Sequence, residues 1–431
     1  MTDASEQHDR VSRRARIMLL LASVGGAISN FGILFVSARV LDVHENTEFL
    51  VFWSLMFGLF GVQSGLQNET TRATTAPSPR GARAIWTGAV VGAVSLTALA
   101  VTSALWAPAM LPLSALPGGA TVCLLGLLYP LYVTMVGALG GSRRWEAYGL
   151  TLLIEVSVRV ALVLAVAAVG LGLTGFEIAS AGGILALVLL PALSPAARRA
   201  LARRADVPLG RALRNAGWAM TSTTCTALLI TGYSALVAAV APEASLGDRG
   251  PAAAAALMGA CMLAVSLTRA PIMMPLTAFV GVAISAFTKH TGSVREAVGR
   301  PFLLLGAIGL LGAAAAWPIG PWALRLFKPE YDLPGWYFAV LTASSVLLAW
   351  LTILGALALA TNRHRLYLSG WCLTSIAAVV CLILPLPLLL TTSLSLSLGP
   401  ALGCLLLWVA LERPRSRASV PSPVPASEVL P

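Results

Sequence analysis

Three stretches of this 431-residue sequence place ionisable side chains where they can bind or carry charge. "GLQNETTRATT", Gly65 to Thr75, holds Glu69 and Arg72 three residues apart, next to Gln67 and Asn68. "TLLIEVSVRVAL" holds Glu155 and Arg159 four apart, on one face of a helix. "VSLTRAPIMMPL" holds Arg269, followed by Pro271 and Pro275. A guanidinium grips a phosphate through two parallel N–H donors, and an ionisable group inside an apolar bundle faces a cavity or a partner. Arg72, Arg159 and Arg269 against Glu69 and Glu155 leave a small cationic excess, which suits a phosphate-bearing ligand. Each group also has a structural reading. Glu155 and Arg159 can neutralise each other, Arg269 can cap carbonyls freed by a proline break, and Arg72 can reach the headgroup layer as an anchor. Gln63, Gln67 and Asn68 form a polar run reaching back from Glu69 and Arg72, and this favours contact with water or protein over lipid.

Other chemistry is sparse. The six cysteines (Cys123, Cys225, Cys261, Cys372, Cys381 and Cys404) lie singly in apolar runs with no CxxC, so small buried thiols are expected and no metal site. Asp42, Glu45 and Glu48 in "RVLDVHENTEF" read as a solvated acidic loop. No catalytic constellation is found.

The elements that position these residues follow from composition. The chain is 57% hydrophobic and 11% charged, with mean hydropathy +0.83, against about 25% charged residues in a soluble domain. A span needs about 20 apolar residues, and a helix satisfies its own backbone in lipid. The expected fold is an all-α polytopic membrane protein with about twelve spans, approximately 17–40, 47–67, 85–109, 118–140, 147–171, 175–193, 216–240, 252–287, 301–325, 335–361, 366–388 and 393–411. The apolar run after Arg13, Arg14 and Arg16 is too long for a signal core and reads as an uncleaved first span.

Basic residues test the count, because cytoplasmic loops carry the excess of Lys and Arg. With both termini cytoplasmic, every Lys and Arg falls inside except Arg39, Arg249, Arg325 and Lys328 outside and Arg159 and Arg269 within spans. The net charge of +11 is then a topology signal facing anionic lipids, and nucleic acid is not needed to explain it. The bias of 27 Arg to 2 Lys hints at a GC-rich bacterial source, which makes the bacterial inner membrane the expected location.

The expected organisation is an N-terminal segment (1–16), a six-helix lobe (17–193), a basic linker (194–215), a second six-helix lobe (216–411) and a disordered tail (412–431). In the linker, Arg199, Arg203 and Arg204 share one side of a helical projection, as in a short surface-lying helix; a solvated basic linker is the alternative. "GALGGSRRWEAY" (Gly137 to Tyr148) is echoed by "GALALATNRHRLY" (Gly355 to Tyr367), each between the fourth and fifth span of its half. Six spans per half give parallel repeats around a shared cavity. Pro271 and Pro275 are expected to break or kink the long eighth span.

The segment "SARVLDVHENTEFLVFWSLMFGLFGVQSGLQNETTRATT", the fourth-to-fifth-span stretch "GALGGSRRWEAYGLTLLIEVSVRVAL", and "LRLFKPEY" with "GALALATNRHRLYLSGW" resemble the polysaccharide flippases of the multidrug/oligosaccharidyl-lipid/polysaccharide (MOP) exporter superfamily. The resemblance implies a V-shaped pair of lobes, alternating access and no enzymatic activity. It implies a polyprenyl-pyrophosphate-linked oligosaccharide as cargo, moved from inner to outer leaflet beside glycan-assembly enzymes. A proton or sodium gradient would drive it, with no other cofactor. On that reading Arg72, Arg159 and Arg269 contact the headgroup, and Glu69 and Glu155 couple the ion. The cavity carries less charge than such flippases commonly show, which leaves a multidrug or small-molecule exporter of the same superfamily open. A major-facilitator transporter is a further alternative, although "NETTRATTAPSPRGAR" lacks that family's Asp and glycine spacing. A membrane glycosyltransferase would need a large outer loop, which the sequence does not have.

Overall fold

The computed structural model describes residues 13–287, 293–361 and 363–413. Most of the expected N-terminal segment (1–12), the basic Lys289 and all but the first residues of the expected tail (414–431) lie outside the described residues. The described part is helical. Its helices are α1 (Arg13–Val40), α2 (Val43–Thr75), α3 (Ala84–Met110), α4 (Ala115–Gly141), α5 (Trp145–Val169), α6 (Gly172–Leu193) and the short α7 (Pro195–Leu201). They continue with α8 (Leu209–Ile230), α9 (Tyr233–Val240), α10 (Pro251–Phe287), α11 (Val294–Phe327), α12 (Gly335–Ala360), α13 (His364–Ile383) and α14 (Leu388–Glu412).

Ten of these are long and apolar enough to cross a membrane, and the bent pair α8 and α9 makes an eleventh. The apolar part of α1, Val24–Val40, is shorter than these, so eleven of the expected twelve spans are long and apolar enough and the first is not. Local chemistry sets several ends. Asp42 accepts the Glu45 N–H at 2.9 Å while the Glu45 carboxylate accepts the Asp42 N–H at 3.2 Å, a reciprocal cap on α2. Ser293 caps α11, and Gly170 at φ +76° closes α5.

The packing order repeats. Span one packs on five, two on four, three on four, four on six and five on six; seven packs on eleven, eight on ten, nine on ten, ten on twelve and eleven on twelve. A six-span offset relates the two sets, as parallel repeats require. Spans three and nine lie at equivalent outer positions, where Leu105 (79% exposed) and Leu310 (74%) face away from the protein, the surface a bilayer covers.

The halves meet chiefly where α2 packs on α8, α9 and α10. Gly58, Gly61 and Gly65 line one face of α2; a β-carbon on Gly58 would sit 3.2 Å from the Gly232 Cα, and one on Gly65 would run into the Ala219 backbone. Bare glycine lets these helices touch backbone to backbone.

Two expectations about helix continuity change. Span seven, read as one helix over 216–240, bends by 77° between Ile230 and Tyr233. The break or kink expected at Pro271 and Pro275 does not interrupt the helix, for helical structure continues from Pro251 to Phe287. Loops alternate between two ends of the bundle. The one carrying Arg80, Arg83, Arg143, Arg144, Arg363 and the 194–208 linker is called the basic end here.

Candidate functional site

At the break in span seven, between the halves, lies a cavity of about 300 Å³ bounded by α1, α2, α8, α9 and α10. Phe31, Trp53, Phe57 and Tyr233 supply aromatic walls, with hydroxyls from Ser54 and Ser266. Bending the helix frees backbone groups that must find partners. Ser54 donates to the Thr231 carbonyl at 3.0 Å and accepts the Ala235 N–H at 3.0 Å. Arg269 Nη1 donates to the Leu229 carbonyl and, at 3.4 Å, to that of Ile230. The guanidinium is 7% exposed and lies 5.4 Å from the centre of the Tyr233 ring. Both partners it finds there are neutral carbonyls, and among the described residues no acidic one lines the cavity. Its positive charge is therefore uncompensated by any carboxylate in the wall.

Glu155 and Arg159 are bonded to each other inside the N-terminal half. The Arg159 guanidinium lies 5.2 Å from the centre of the Phe57 ring, so this pair sits one ring behind the cavity wall. Gly183 makes room for it, because a β-carbon there would lie 2.8 Å from Glu155 Oε1 and 3.2 Å from Arg159 Nη2. The same interior holds buried Arg159 Nε, Tyr132 Oη and both amide atoms of Gln63, none with a hydrogen-bond partner among the described residues. Such groups are uncommon in native interiors and mark a polar core beside the cavity.

Glu69 and Arg72 lie at the basic end and not at the cavity. Arg72 bonds the two Glu69 oxygens at 2.7 and 2.8 Å and Asp206 Oδ2 at 2.8 Å, while Asn215 Nδ2 donates to Glu69 Oε1 at 3.1 Å. Gln67 donates to the Tyr148 hydroxyl at 3.2 Å, and Asn68 is exposed. Glu69 and Arg72 thus clasp the central linker to α2. The linker also bridges the α2–α3 loop through Ala205 N to Ala82 O at 2.7 Å and Ala84 N to Arg203 O at 2.8 Å. The linker helix ends at Leu201, so Arg203 and Arg204 fall beyond it and donate to the Thr74 and Gly81 carbonyls, each at 2.9 Å.

At the opposite end the acidic stretch is not simply solvated. Asp42 and Glu45 form the α2 cap, but Glu48 is 5% exposed and bonded to the loop before α4. Glu177, fully buried in α6, was not among the candidates from sequence. Its signal was present, an acid two residues inside the expected 175–193 span. Here the halves are fastened together. Lys328 Nζ donates to the Ala38 and Leu41 carbonyls at 3.1 and 2.8 Å, and Asn46 Nδ2 to the Tyr331 hydroxyl at 2.7 Å. Thr47 is within 2.9 Å of the Ala255 carbonyl, and Arg39 bonds the Leu326 carbonyl. Burial raises the pKa of the Tyr331 phenol above its ordinary value, so it remains a neutral hydroxyl.

No family model matches the chain. Over 394 residues it is 32% identical to "Uncharacterized protein Rv1510" of Mycobacterium tuberculosis (strain ATCC 25618 / H37Rv), covering 89% of this chain and 88% of that one. Over 395 residues it is 31% identical to "Uncharacterized protein Rv3630" of the same strain, covering 90% and 89%. The chain belongs to the family of these mycobacterial proteins. In fold it is similar to a multidrug resistance MATE family transporter of the MOP superfamily in an inward-facing conformation, with TM-score 0.61, 13% identity and coverage of 94% and 96%. A MOP superfamily transporter from Pyrococcus furiosus Vc1 (DSM3638), described by a binding pocket of reverse polarity suggesting a different function, gives TM-score 0.63 at 13% identity with coverage of 92% and 95%. The chain is a multi-pass membrane protein that shares its fold with these transporters.

Proposed function

We propose that this chain moves an anionic amphiphile across the bilayer, with a polyprenyl-pyrophosphate-linked oligosaccharide or related lipid-linked glycan as its substrate class. The observation that carries this reading is the cavity between the halves, where Arg269 presents a positive charge among aromatic and hydroxyl side chains with no acid in the wall. A lipophilic cation, the other substrate class open to this fold, would be repelled there. A phosphate oxygen accepts from the guanidinium more strongly than a neutral carbonyl does, so a headgroup can take over donors now held by Leu229 and Ile230. Alternating access follows, with 17–193 and 216–411 rocking about the α2 contacts. The arginine distribution puts the basic end in the cytoplasm of a bacterium, with transport from inner to outer leaflet. Anionic lipids would gather at the basic loops and glycan-assembly enzymes nearby, with a proton or sodium gradient as the drive.

The test is reconstitution in vesicles with a fluorescent polyprenyl-pyrophosphate glycan, scored by its exposure to an impermeant lectin. Transport should occur, fall in Arg269→Gln, and be indifferent to a lipophilic cation. Transport of the cation in place of the glycan would refute the reading and leave an exporter of the multidrug kind.

A further inference from the structure

We infer that Glu48, Ser114 and Glu177 form a proton-binding site near the acidic end of the N-terminal half, with Glu177 the carboxyl that takes up and releases the proton. Ser114 Oγ lies 2.7 Å from Glu48 Oε1 and 2.7 Å from Glu177 Oε1. A hydroxyl has one hydrogen, and an ionised carboxylate only accepts. Two such contacts need a second hydrogen, and it must sit on one of the carboxyls.

The surroundings say which one. Both Glu48 oxygens already accept backbone N–H groups from the turn before α4, Oε2 from Leu113 and Oε1 from Ser114, each at 2.7 Å. Glu177 accepts none, and its Oε2 is buried without a partner. The chain of donors therefore runs from the Glu177 O–H to Ser114 Oγ, and from the Ser114 O–H to Glu48 Oε1. Gly118 shapes the pocket, for a β-carbon there would lie 2.7 Å from Ser114 Oγ and 2.9 Å from Glu177 Oε2.

Among the described residues no cation stands by to hold Glu177 ionised. From α2 the site faces Glu48 and, one turn earlier, Glu45, which is tied to the Asp42 cap. From α4 it meets no charged residue. On α5 the nearest charge is Arg159, bonded to Glu155 and lying against Gly183. The arginines of α7 lie at the far end of α6, where Arg198 bonds the Pro191 carbonyl. Loss of the proton puts two carboxylates on one hydroxyl in an apolar wall, and like charges so placed repel strongly. Glu48 directly follows Asn46 and Thr47, which fasten α2 to the C-terminal half. Ionisation of Glu177 pushes on the segment that holds this end shut. That last link, from proton to closure, rests on the transport reading above, whereas the proton site itself does not.

The experiment is an infrared titration of the full chain in lipid nanodiscs, from neutral to alkaline pH, following the carbonyl band of protonated carboxyl groups in water and in D₂O. The wild type should show a protonated band at neutral pH that disappears on alkalinisation. Glu177→Gln should lack it, and Glu155→Gln should keep it. Glutamine at 177 retains the side chain's size and a donor toward Ser114. Ser114→Ala, which removes the bridging hydroxyl, gives a second test by shifting the band in place of abolishing it. Absence of the band from the wild type at neutral pH, or its persistence in Glu177→Gln, overturns the assignment. Displacement of the band by sodium at constant pH would overturn it in favour of a cation site. Because no transported substrate enters this measurement, its failure leaves the cavity reading standing, and failure of glycan transport leaves the proton site standing.

Discussion

Replacing Lys328 by Met probes the fastening of the two halves with little change in volume. In the wild type the ammonium is 7% exposed and bonds the Ala38 and Leu41 carbonyls at 3.1 and 2.8 Å. These are carbonyls at the end of α1, where helix geometry leaves them without partners and the helix dipole favours a positive charge. Bonds to a charged group contribute about 1.5 to 3 kcal/mol each, and removing the ammonium from water offsets part of this. A net contribution of about 2 kcal/mol to closure corresponds to roughly a thirtyfold change in the closed-to-open ratio. A ratio of about 99:1 would then become about 3:1. Spin labels at exposed His44 and Glu330, with native cysteines replaced, report this as a second, longer distance holding about a quarter of the molecules on that estimate. Tyr331→Phe, which removes the acceptor for Asn46, should shift the ratio in the same direction by about 1 kcal/mol. Arg325→Gln is the control, because the Arg325–Asp332 pair is 57% and 69% exposed and should leave the distribution in place. An unchanged distribution in Lys328→Met would refute the view that these bonds hold the acidic end shut.

Other consequences can be measured in parallel. Arg269→Gln strands carbonyls at the break between α8 and α9 and should lower stability by about 1 to 3 kcal/mol; Arg269→Lys keeps the charge and should restore part of it, as thermal unfolding will show. Ser266→Glu places an acid three residues from Arg269 in the same wall. It should weaken binding of a polyprenyl pyrophosphate by about tenfold or more through loss of a charged contact and improve binding of a lipophilic cation, as read by titration in nanodiscs. Arg72→Gln removes a half-exposed clasp and should change stability by less than about 1 kcal/mol while speeding tryptic cleavage in the 198–204 stretch. Cys225 and Cys372 have sulfurs 3.3 Å apart, so a mild oxidant should join them, with mass spectrometry finding two thiols fewer.

What could be read from the sequence follows a physical division. The many-span helical fold depends on summed apolar length, a local property, and it holds. The Glu155–Arg159 pair is legible because helical spacing alone brings the two together. The 77° bend is not, for Thr231 and Gly232 are unremarkable in a chain rich in both small and hydroxyl residues. That break is sustained from a distance, by Ser54 on α2 and Arg269 on α10. Conversely, Pro271 and Pro275 suggest a break or kink, yet helical structure runs through both, since a membrane helix can lose amide donors and still continue. Glu48 reads as solvated from its acidic neighbours, but its partner Ser114 is 66 residues away. The Arg72 partner Asp206 is 134 residues away, so a clasp on the linker looks like a lone pair at a span end.

The two halves handle buried charge differently, and this bears on how one cavity can be cationic in a chain with so few charges. In the N-terminal half each buried charge has an answer within the half: Arg159 has Glu155, and Glu48 has two backbone donors and a serine. In the C-terminal half Arg269 has only carbonyls, and only because span seven is broken beside it. A neutral carbonyl satisfies a guanidinium's hydrogen bonds without cancelling its charge. The break therefore does two things at once: it keeps an arginine tolerable inside the bundle, and it leaves that arginine's charge available to the cavity. A helix that ran straight through Thr231 and Gly232 would keep its carbonyls for itself, and Arg269 would then need an acid, which would erase the field that an anionic headgroup can use.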